Sequence, residues 1–201
     1  MSAWPVKALW ELAEVTTGVP VRVKDDAAPG SGTPVVSVGS LQEGGIAPVH
    51  TLPRFEPPLT DAERNRAVLQ PGFVLLSARG AALRMALVGP EHDGALANHT
   101  VLIIRPFGEV GGAALYATLR LPGMVHQLEQ MARESTATRA WRPVDVERLR
   151  VPVPPGPVQQ MVEQLIRAEE RHLAAARRAL DLRREAVWTA LGEALEGKVL
   201  P

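Results

Sequence analysis

The side chains best suited to catalysis or metal binding lie close together in one short polar stretch. Glu91, His92 and Asp93 precede Asn98 and His99, and mixtures of imidazole and carboxylate groups ligate zinc and other transition metals. Their spacing matches no ligand pattern of a helix or a hairpin. We therefore predict a polar loop that enters a buried strand here, and no metal site.

The sequence also lacks the motifs of several catalytic classes. It has no glycine-rich segment for adenosylmethionine or nucleotide phosphates, no Asn/Asp-Pro-Pro-Tyr/Phe segment, and no Pro-Asp followed by Glu-x-Lys. The one partial match, Glu196-Gly197-Lys198, has no partner carboxylate upstream. Because we find no candidate nucleophile, general base or set of metal ligands, we predict a chain that is not itself an enzyme and needs no cofactor.

Length and composition predict one globular body with an appended arm. The chain has 201 residues, of which 46% are hydrophobic, enough to bury one core. It contains no Cys, which excludes disulfides and thiolate metal sites. No apolar run approaches the roughly 20 residues of a membrane span, and residues 1–11 lack the pattern of a secretory signal. We expect a cytoplasmic protein that does not contact a membrane.

The charges are balanced, with 22 basic and 22 acidic residues, so net charge does not indicate nucleic-acid binding. The basic residues are nearly all Arg, since only Lys7, Lys24 and Lys198 are Lys. Arg is the residue of planar, bidentate contacts. A general bias of the sequence toward Arg and Ala explains the same composition equally well.

The arm is the clearest element of the sequence. After the Pro-rich residues 151–157, no Gly or Pro interrupts the chain between Val158 and Leu191, and helix formers dominate. Such a helix would be roughly 60 Å long, which is longer than a body of this size needs for its own packing. We predict domains at 1–150, a hinge at 151–157 and a spacer helix at 158–197.

Apolar residues recur along this helix with a seven-residue period, which is typical of a coiled coil. Glu169 and Arg183 are the two polar exceptions. Helix packing on its own body is the alternative, but the body is too small to cover the whole stripe, which favours a second helix. The predicted dimer interface contains Val162, Ile166, Leu173, Ala176, Leu180, Val187 and Leu191.

The body is predicted to be α+β, with one mixed sheet followed by a helical half. Apolar runs predict strands, Thr60 is placed to cap a short helix that extends to Val68, and the pattern from Gly111 onward is helical. Residues 134–142 are polar and Thr-rich, and therefore predict an exposed loop. The predicted strands cover residues 19–23, 34–38, 73–77, 84–88 and 100–105.

Three separated segments resemble the specificity subunit of type I restriction-modification enzymes. They are VLLSARG at Val74–Gly80, the Ser135-Thr136-Ala137-Thr138 segment, and LRVPVPPGPVQQMV at Leu149–Val162. Leu12-Ala13-Glu14-Val15 leading to Gly18 is similar to the start of the family's target recognition domain. A full subunit carries two such halves, and this sequence carries one.

The resemblance implies a target recognition domain that docks on double-stranded DNA and reads one half-site. The spacer helix is then expected to pair as an antiparallel coiled coil with a second copy, which restores a two-lobed reader of an interrupted palindrome. Separate methyltransferase subunits are expected to catalyse the methylation, with or without a restriction subunit in the complex.

The same resemblance suggests which residues contact DNA. Arg79 and Arg84, at the two ends of a Gly-containing strand connection, would read guanine, and Arg54 and His50 lie in a second candidate loop. Alternatively, Arg79 pairs with a carboxylate such as that of Glu91 or Asp93. The expected contacts to phosphate and sugar are Ser135, Thr136, Thr138 and Arg139; an ordinary Thr-rich turn explains them equally well.

Two other functions remain open from the sequence. The first is a coiled-coil dimerisation adaptor whose body binds protein instead of DNA. The second is a small metal-dependent hydrolase that uses His92 and His99.

Overall fold

The computed structural model shows an α+β body followed by a long helix. The chain divides into two compact units, residues 1–160 and residues 161–201. The residues that the structure describes are 4–20, 31–42, 45–56, 58–135 and 138–195.

The described strands are short, and most have two to four residues. They are β1 Val6–Ala8, β2 Ala13–Thr17, β3 Thr33–Val36, β4 Leu41–Gln42, β5 Gly45–Ile46, β6 Arg54–Phe55, β7 Val74–Ser77, β8 Arg79–Gly80, β9 Met85–Leu87, β10 Leu96–Ala97, β11 Val101–Pro106, β12 Arg133–Ser135, β13 Thr138–Ala140 and β14 Arg150–Pro152. The α-helices are α1 Leu9–Leu12, α2 Asp61–Ala67, α3 Gly112–Leu119, α4 Pro122–Met131, α5 Pro143–Val146 and α6 Gly156–Leu195.

The centre of the body is an antiparallel sheet in the order β2-β11-β7-β9. Ile103 of β11 lies between Thr16 of β2 and Leu75 of β7. All four residues of β7 are buried, and so are the first four of β11, which explains their continuous apolar sequences. Helix α3 packs on this sheet, contacting β7, β9 and β11.

The α+β class predicted from the sequence is confirmed, but the single mixed sheet is wrong. The described strands form five small sheets, and the other four are β1-β14, β10-β3-β6, β12-β13-β8 and β4-β5. Only β10 and β3 pair in parallel among the strands of the described residues. Short strands interrupted by Gly and Pro cannot extend one continuous ladder, which explains the division.

The predicted loop at 134–142 is also wrong over much of its length. Its residues include most of β12 and all of β13, which pair with each other. Strand β13 also pairs with β8, so a distant part of the chain supplies the partner that makes this polar segment a sheet. Thr136 and Ala137 lie outside the described residues.

The predicted cap of α2 is confirmed. The backbone N–H of Glu63 donates to Thr60 Oγ1 at 3.3 Å, and Glu63 Oε2 accepts from Thr60 N at 2.9 Å. These two bonds form a capping box that satisfies two groups at the start of the helix.

Helix α6 is the long element expected from the sequence. It has 40 residues, from Gly156 to Leu195, and is therefore about 60 Å long. Within the described part of the chain, no helix has both the length and the apolar character needed to cross a bilayer.

Candidate nucleic-acid interface

The sheet β12-β13-β8 brings together two of the segments that the sequence suggested for DNA contact. Arg79 lies opposite Ala140, and Gly80 lies opposite Arg139. Ser135 and Thr138 are directly opposite each other in the β12-β13 pair. Residues about 60 positions apart in the chain therefore share one small sheet at the surface of the body.

Arg79 is exposed on this sheet. Among the described residues, its guanidinium has no ion pair or hydrogen bond. Glu91 lies instead 3.5 Å from His92 Nδ1, so the alternative in which Arg79 pairs with Glu91 or Asp93 does not occur in this structure. A planar cation in this position can form a bidentate contact with an incoming acceptor.

Arg139 is half-buried at the opposite strand position. It pairs with Glu134 of β12 on one side and with Gly80 of β8 on the other. Arg142 follows shortly after β13, but its guanidinium is engaged by Asp145 at 2.8 and 2.9 Å. That hydrogen-bonded carboxylate raises the pKa of Arg142 above its ordinary value.

Arg84 fixes the far end of the β7-β9 connection. Its backbone N–H donates to Ser77 Oγ at 3.1 Å, and its Nη1 donates to the carbonyl oxygen of Leu41 at 2.9 Å. The side chain therefore holds the turn before β9 against the start of β4. A base-reading role for Arg84 stays a prediction.

Arg54 lies in β6, opposite Pro34 of β3. Its Nη1 donates to the carbonyl oxygen of Gly32 at 3.0 Å. This bond ties β6 to the segment that enters β3. A DNA contact by Arg54 likewise stays a prediction.

The candidate sheet is fastened to the core through Ala78 and Trp141. The backbone of Ala78 bridges the two regions, because its N–H donates to Thr100 O at 2.9 Å and its carbonyl accepts from Trp141 N at 2.9 Å. Trp141 is buried, and its Nε1 donates to Leu128 O at 2.8 Å. The large aromatic thus fills the core, as aromatic residues commonly do.

Hydrogen bonds of Thr100 and Asn98 also hold the backbone next to the candidate sheet. The sequence alone did not identify these two residues as positioning groups. Thr100 Oγ1 accepts from the backbone N–H of Val38 at 2.9 Å, and Asn98 Oδ1 accepts from the backbone N–H of Thr100 at 2.9 Å. A Cβ built on Gly80 would lie 3.9 Å from Val38. The Asn-x-Thr spacing is the local signal of this turn.

The polar stretch at 91–99 includes a buried histidine. His92 is buried, with Nε2 2.9 Å from Ala47 O, so Nε2 carries the proton in this contact. Nowhere in the described ranges do three or more His, Asp or Glu side chains come together as metal ligands.

Gln159 in the first turns of α6 holds the loop before α3. Its Oε1 accepts from Gly111 N at 3.0 Å, and its Nε2 donates to Glu109 O at 3.2 Å and to Pro154 O at 2.9 Å. The glutamine that follows the Pro-rich segment therefore fixes where the long helix begins.

The predicted interface residues of α6 are largely open to solvent in the single chain. Leu180 is 60% exposed, and Val187 and Leu191 are also exposed. Ala176 is exposed, while Val162, Ile166 and Leu173 are half-buried. Trp188, on the same helix, is 71% exposed.

Two solved structures with a similar fold come from type I restriction-modification systems. The HsdS subunit from Thermoanaerobacter tengcongensis is 19% identical, with a TM-score of 0.54 over 98% of this chain and 46% of that chain. A chain from a structure of complex assembly and conformational transition of the type I R-M system is 18% identical, with a TM-score of 0.58 over the same shares.

This chain has the fold found in those two chains and spans less than half the length of each. No protein-family model matches the sequence. No curated protein sequence matches it either.

Proposed function

We propose that this chain is a half-sized, non-catalytic DNA specificity subunit of a type I-like restriction-modification system. One observation carries the proposal: β8 with Arg79 and β13 with Arg139 meet in a surface sheet. The likeness in fold to an HsdS subunit, over 98% of this chain, supports the proposal.

Arg79 is the residue that we propose to read a base. A guanidinium can bind guanine O6 and N7 with two parallel hydrogen bonds, and such a pair contributes roughly 1–3 kcal/mol of discrimination. The register puts the positions of Ser135 and Thr138 on the same face of the sheet as Arg79, where hydroxyl groups suit phosphate and sugar contacts. Arg139 belongs to the other face, and we propose that it contacts phosphate from there. Thr136, Arg54 and Arg84 complete the proposed DNA-binding set.

The two-fold assembly is the second part of the proposal. Two copies joined through α6 would present two identical readers, and identical readers imply a palindromic, interrupted target. The length of the paired helices would fix the distance between the half-sites.

Methyltransferase subunits are the proposed partners, with or without a restriction subunit. They would supply the catalytic pocket for a flipped adenine and much of the phosphate-binding surface. This division of work is compatible with the equal numbers of acidic and basic residues in the chain. The complex would work in the cytoplasm, on the DNA there.

Methylome sequencing of cells that express the chain with its methyltransferase tests the proposal. Arg79→Ala should relax the methylated sequence at one base position per half-site by about 5- to 150-fold. Arg79→Lys keeps the charge but loses the bidentate geometry, so it should also relax that position while retaining DNA binding.

Arg148→Ala is the matched control, because Arg148 is also exposed on the body but lies outside the candidate sheet. It should leave the methylated sequence unchanged. An unaltered sequence with both Arg79 variants would reject base reading by Arg79 and favour the adaptor.

The dimerisation adaptor is the second candidate function, and the exposed apolar side chains of α6 are the observation that favours it. It predicts stable binding of a protein by residues 1–160 in the absence of DNA, with no sequence preference in any methylated product.

A further inference from the structure

Thr100 lies where the segments on either side of Arg79 meet. It stands between β10 and β11, immediately before the first residue of β11. Its backbone carbonyl accepts from Ala78 N at 2.9 Å, and its hydroxyl oxygen accepts from Val38 N at 2.9 Å. One half-buried residue therefore holds two segments that are far apart in the chain.

The residue before Arg79 is fixed through both of its peptide groups. The N–H of Ala78 donates to the carbonyl of Thr100, and the carbonyl of Ala78 accepts from Trp141 N at 2.9 Å. That carbonyl belongs to the peptide unit that joins Ala78 to Arg79. Both bonds use backbone atoms alone, so the path of the chain into Arg79 does not depend on the side chain of Thr100.

The residue after Arg79 is Gly80, and its backbone lies next to Val38. A Cβ built on Gly80 would be 3.9 Å from Cγ2 of Val38, which is ordinary van der Waals contact. Glycine has more conformational freedom than any other residue, so a neighbour that limits this freedom helps to fix the chain. Val38 begins the short turn Val38–Ser40, whose place the hydroxyl of Thr100 secures.

Asn98 orients that hydroxyl. Its Oδ1 accepts from the backbone N–H of Thr100, at 2.9 Å, and also from the hydroxyl of Thr100. Because a hydroxyl has a single proton, its lone pairs remain free to accept from Val38 N. Asn98 is itself held, since its backbone N–H donates to Val36 O at 2.9 Å. The contact of Arg84 Nη1 with the carbonyl of Val38 is longer, at 3.5 Å.

We propose that the hydroxyl of Thr100 is a positioning group for base recognition by Arg79. It holds Val38 against Gly80, and this contact fixes the backbone just after Arg79. The inference rests on the proposed function and adds to it a residue that does not itself touch DNA. A functional side chain must be held within about 0.5 Å and 10–20° of its productive geometry. Loss of this support should therefore reduce discrimination between bases before it reduces binding.

Thr100→Val tests the proposal in the complex of the full chain with its methyltransferase. The change replaces the hydroxyl with a methyl group of similar size and keeps the backbone carbonyl that binds Ala78. Methylome sequencing should show a roughly threefold or greater relaxation at the base position that Arg79→Ala also relaxes, with the other positions unchanged. Thr100→Ser keeps the hydroxyl and should retain the native methylated sequence.

A double variant separates positioning from direct contact with DNA. If Thr100 acts through Arg79, adding Thr100→Val to Arg79→Ala should leave the methylated sequence of the Arg79→Ala variant unchanged. Effects of the two changes that add would show that Thr100 acts independently, and would overturn the inference.

Asn98→Ala is a second test, because it removes the acceptor that orients the hydroxyl of Thr100. It should relax the same base position as Thr100→Val. Amide hydrogen exchange at Val38 should also become faster in both variants, since its N–H loses its acceptor or the fixed orientation of that acceptor. Native base preference in both variants would overturn the inference.

Thr118→Val is the matched control, because Thr118 is a buried threonine whose hydroxyl donates to Ala114 O at 2.8 Å within α3. It should leave the methylated sequence unchanged. Thermal unfolding sets a temperature at which all the variants are folded. A general loss of methylation by Thr100→Val that keeps the native base preference would assign Thr100 to stability alone.

These results are separable from the failure of the proposed function. A methylated sequence that follows Arg79→Ala but ignores Thr100→Val would reject the positioning role alone. A methylated sequence that ignores both changes would reject base reading by Arg79, and with it the role of Thr100.

Discussion

Gly80 lies directly opposite Arg139 in the antiparallel pair of β8 and β13. The φ angle of Gly80 is 151°, a conformation that L side chains rarely adopt. Glycine at this position therefore lets the chain leave β7, make a two-residue strand and turn back toward β9. The position of Arg139 on the surface depends on that path.

We predict that Gly80→Ala disturbs the candidate sheet and leaves the central sheet intact. The strained backbone should lower the free energy of unfolding by about 1–3 kcal/mol. Amide hydrogen exchange should become faster in β13, while the amides of β7 and β11 keep their protection. Unchanged exchange in β13 would show that its pairing does not depend on the Gly80 conformation.

Gly123→Ala is the control for this prediction. Gly123 lies in the first turn of α4, and a Cβ there would meet nothing within 4 Å. The change should alter the free energy of unfolding by less than about 1 kcal/mol and should not affect exchange in β13.

The sequence predicted the elements whose signal is local. Continuous apolar residues predicted β7 and β11, and Thr60, placed as an N-cap, predicted the start of α2. The uninterrupted run of helix formers predicted α6. In each case neighbouring residues carry the physical cause, so no knowledge of distant contacts was needed.

The sequence did not predict features that depend on distant partners. Strand β13 has a polar sequence and becomes a strand because β8 and β12 supply its hydrogen bonds. Likewise, Nη1 of Arg84 donates to Leu41 O, 43 positions away. No local pattern contains that information.

We predict that Trp141→Phe destabilises the body although the aromatic ring is kept. The Nε1–H of Trp141 satisfies Leu128 O, one of the carbonyls at the end of α4 that lack an intrahelical partner. Leaving this buried acceptor unsatisfied should lower the free energy of unfolding by about 1–3 kcal/mol in urea titrations. Trp10→Phe removes an indole that is 59% exposed and should have little effect.

We predict that the stabilising effect of Glu63 disappears in acid. The hydrogen bonds from Thr60 lower the pKa of Glu63 below its ordinary value of 4.5, because they favour the carboxylate. Since the folded pKa is below the unfolded one, the stabilisation is present above the unfolded pKa and is lost as the pH falls through the folded pKa.

Glu63→Gln has no titrating group at this position and isolates the effect. The native chain should be more stable than the variant at neutral pH, and the difference measured by thermal unfolding should shrink as the pH falls below about 4. A difference that does not depend on pH would contradict the assignment of this stabilisation to the charged capping box.

Gln159 gives the last prediction, since it joins the first turns of α6 to the loop before α3. Gln159→Ala removes three hydrogen bonds at once, those to Gly111, Glu109 and Pro154. Because the site is only half-buried, water can replace part of them, and we expect a loss of about 1–3 kcal/mol in the free energy of unfolding. Gln160→Ala changes the adjacent, exposed glutamine and should be neutral within about 0.5 kcal/mol.

If the fixed start of α6 also fixes the half-site spacing, Gln159→Ala should broaden the range of spacings between methylated half-sites, measured at a temperature where the variant stays folded. Gln160→Ala should not broaden it. Equal spacing distributions for both variants would assign Gln159 to stability alone.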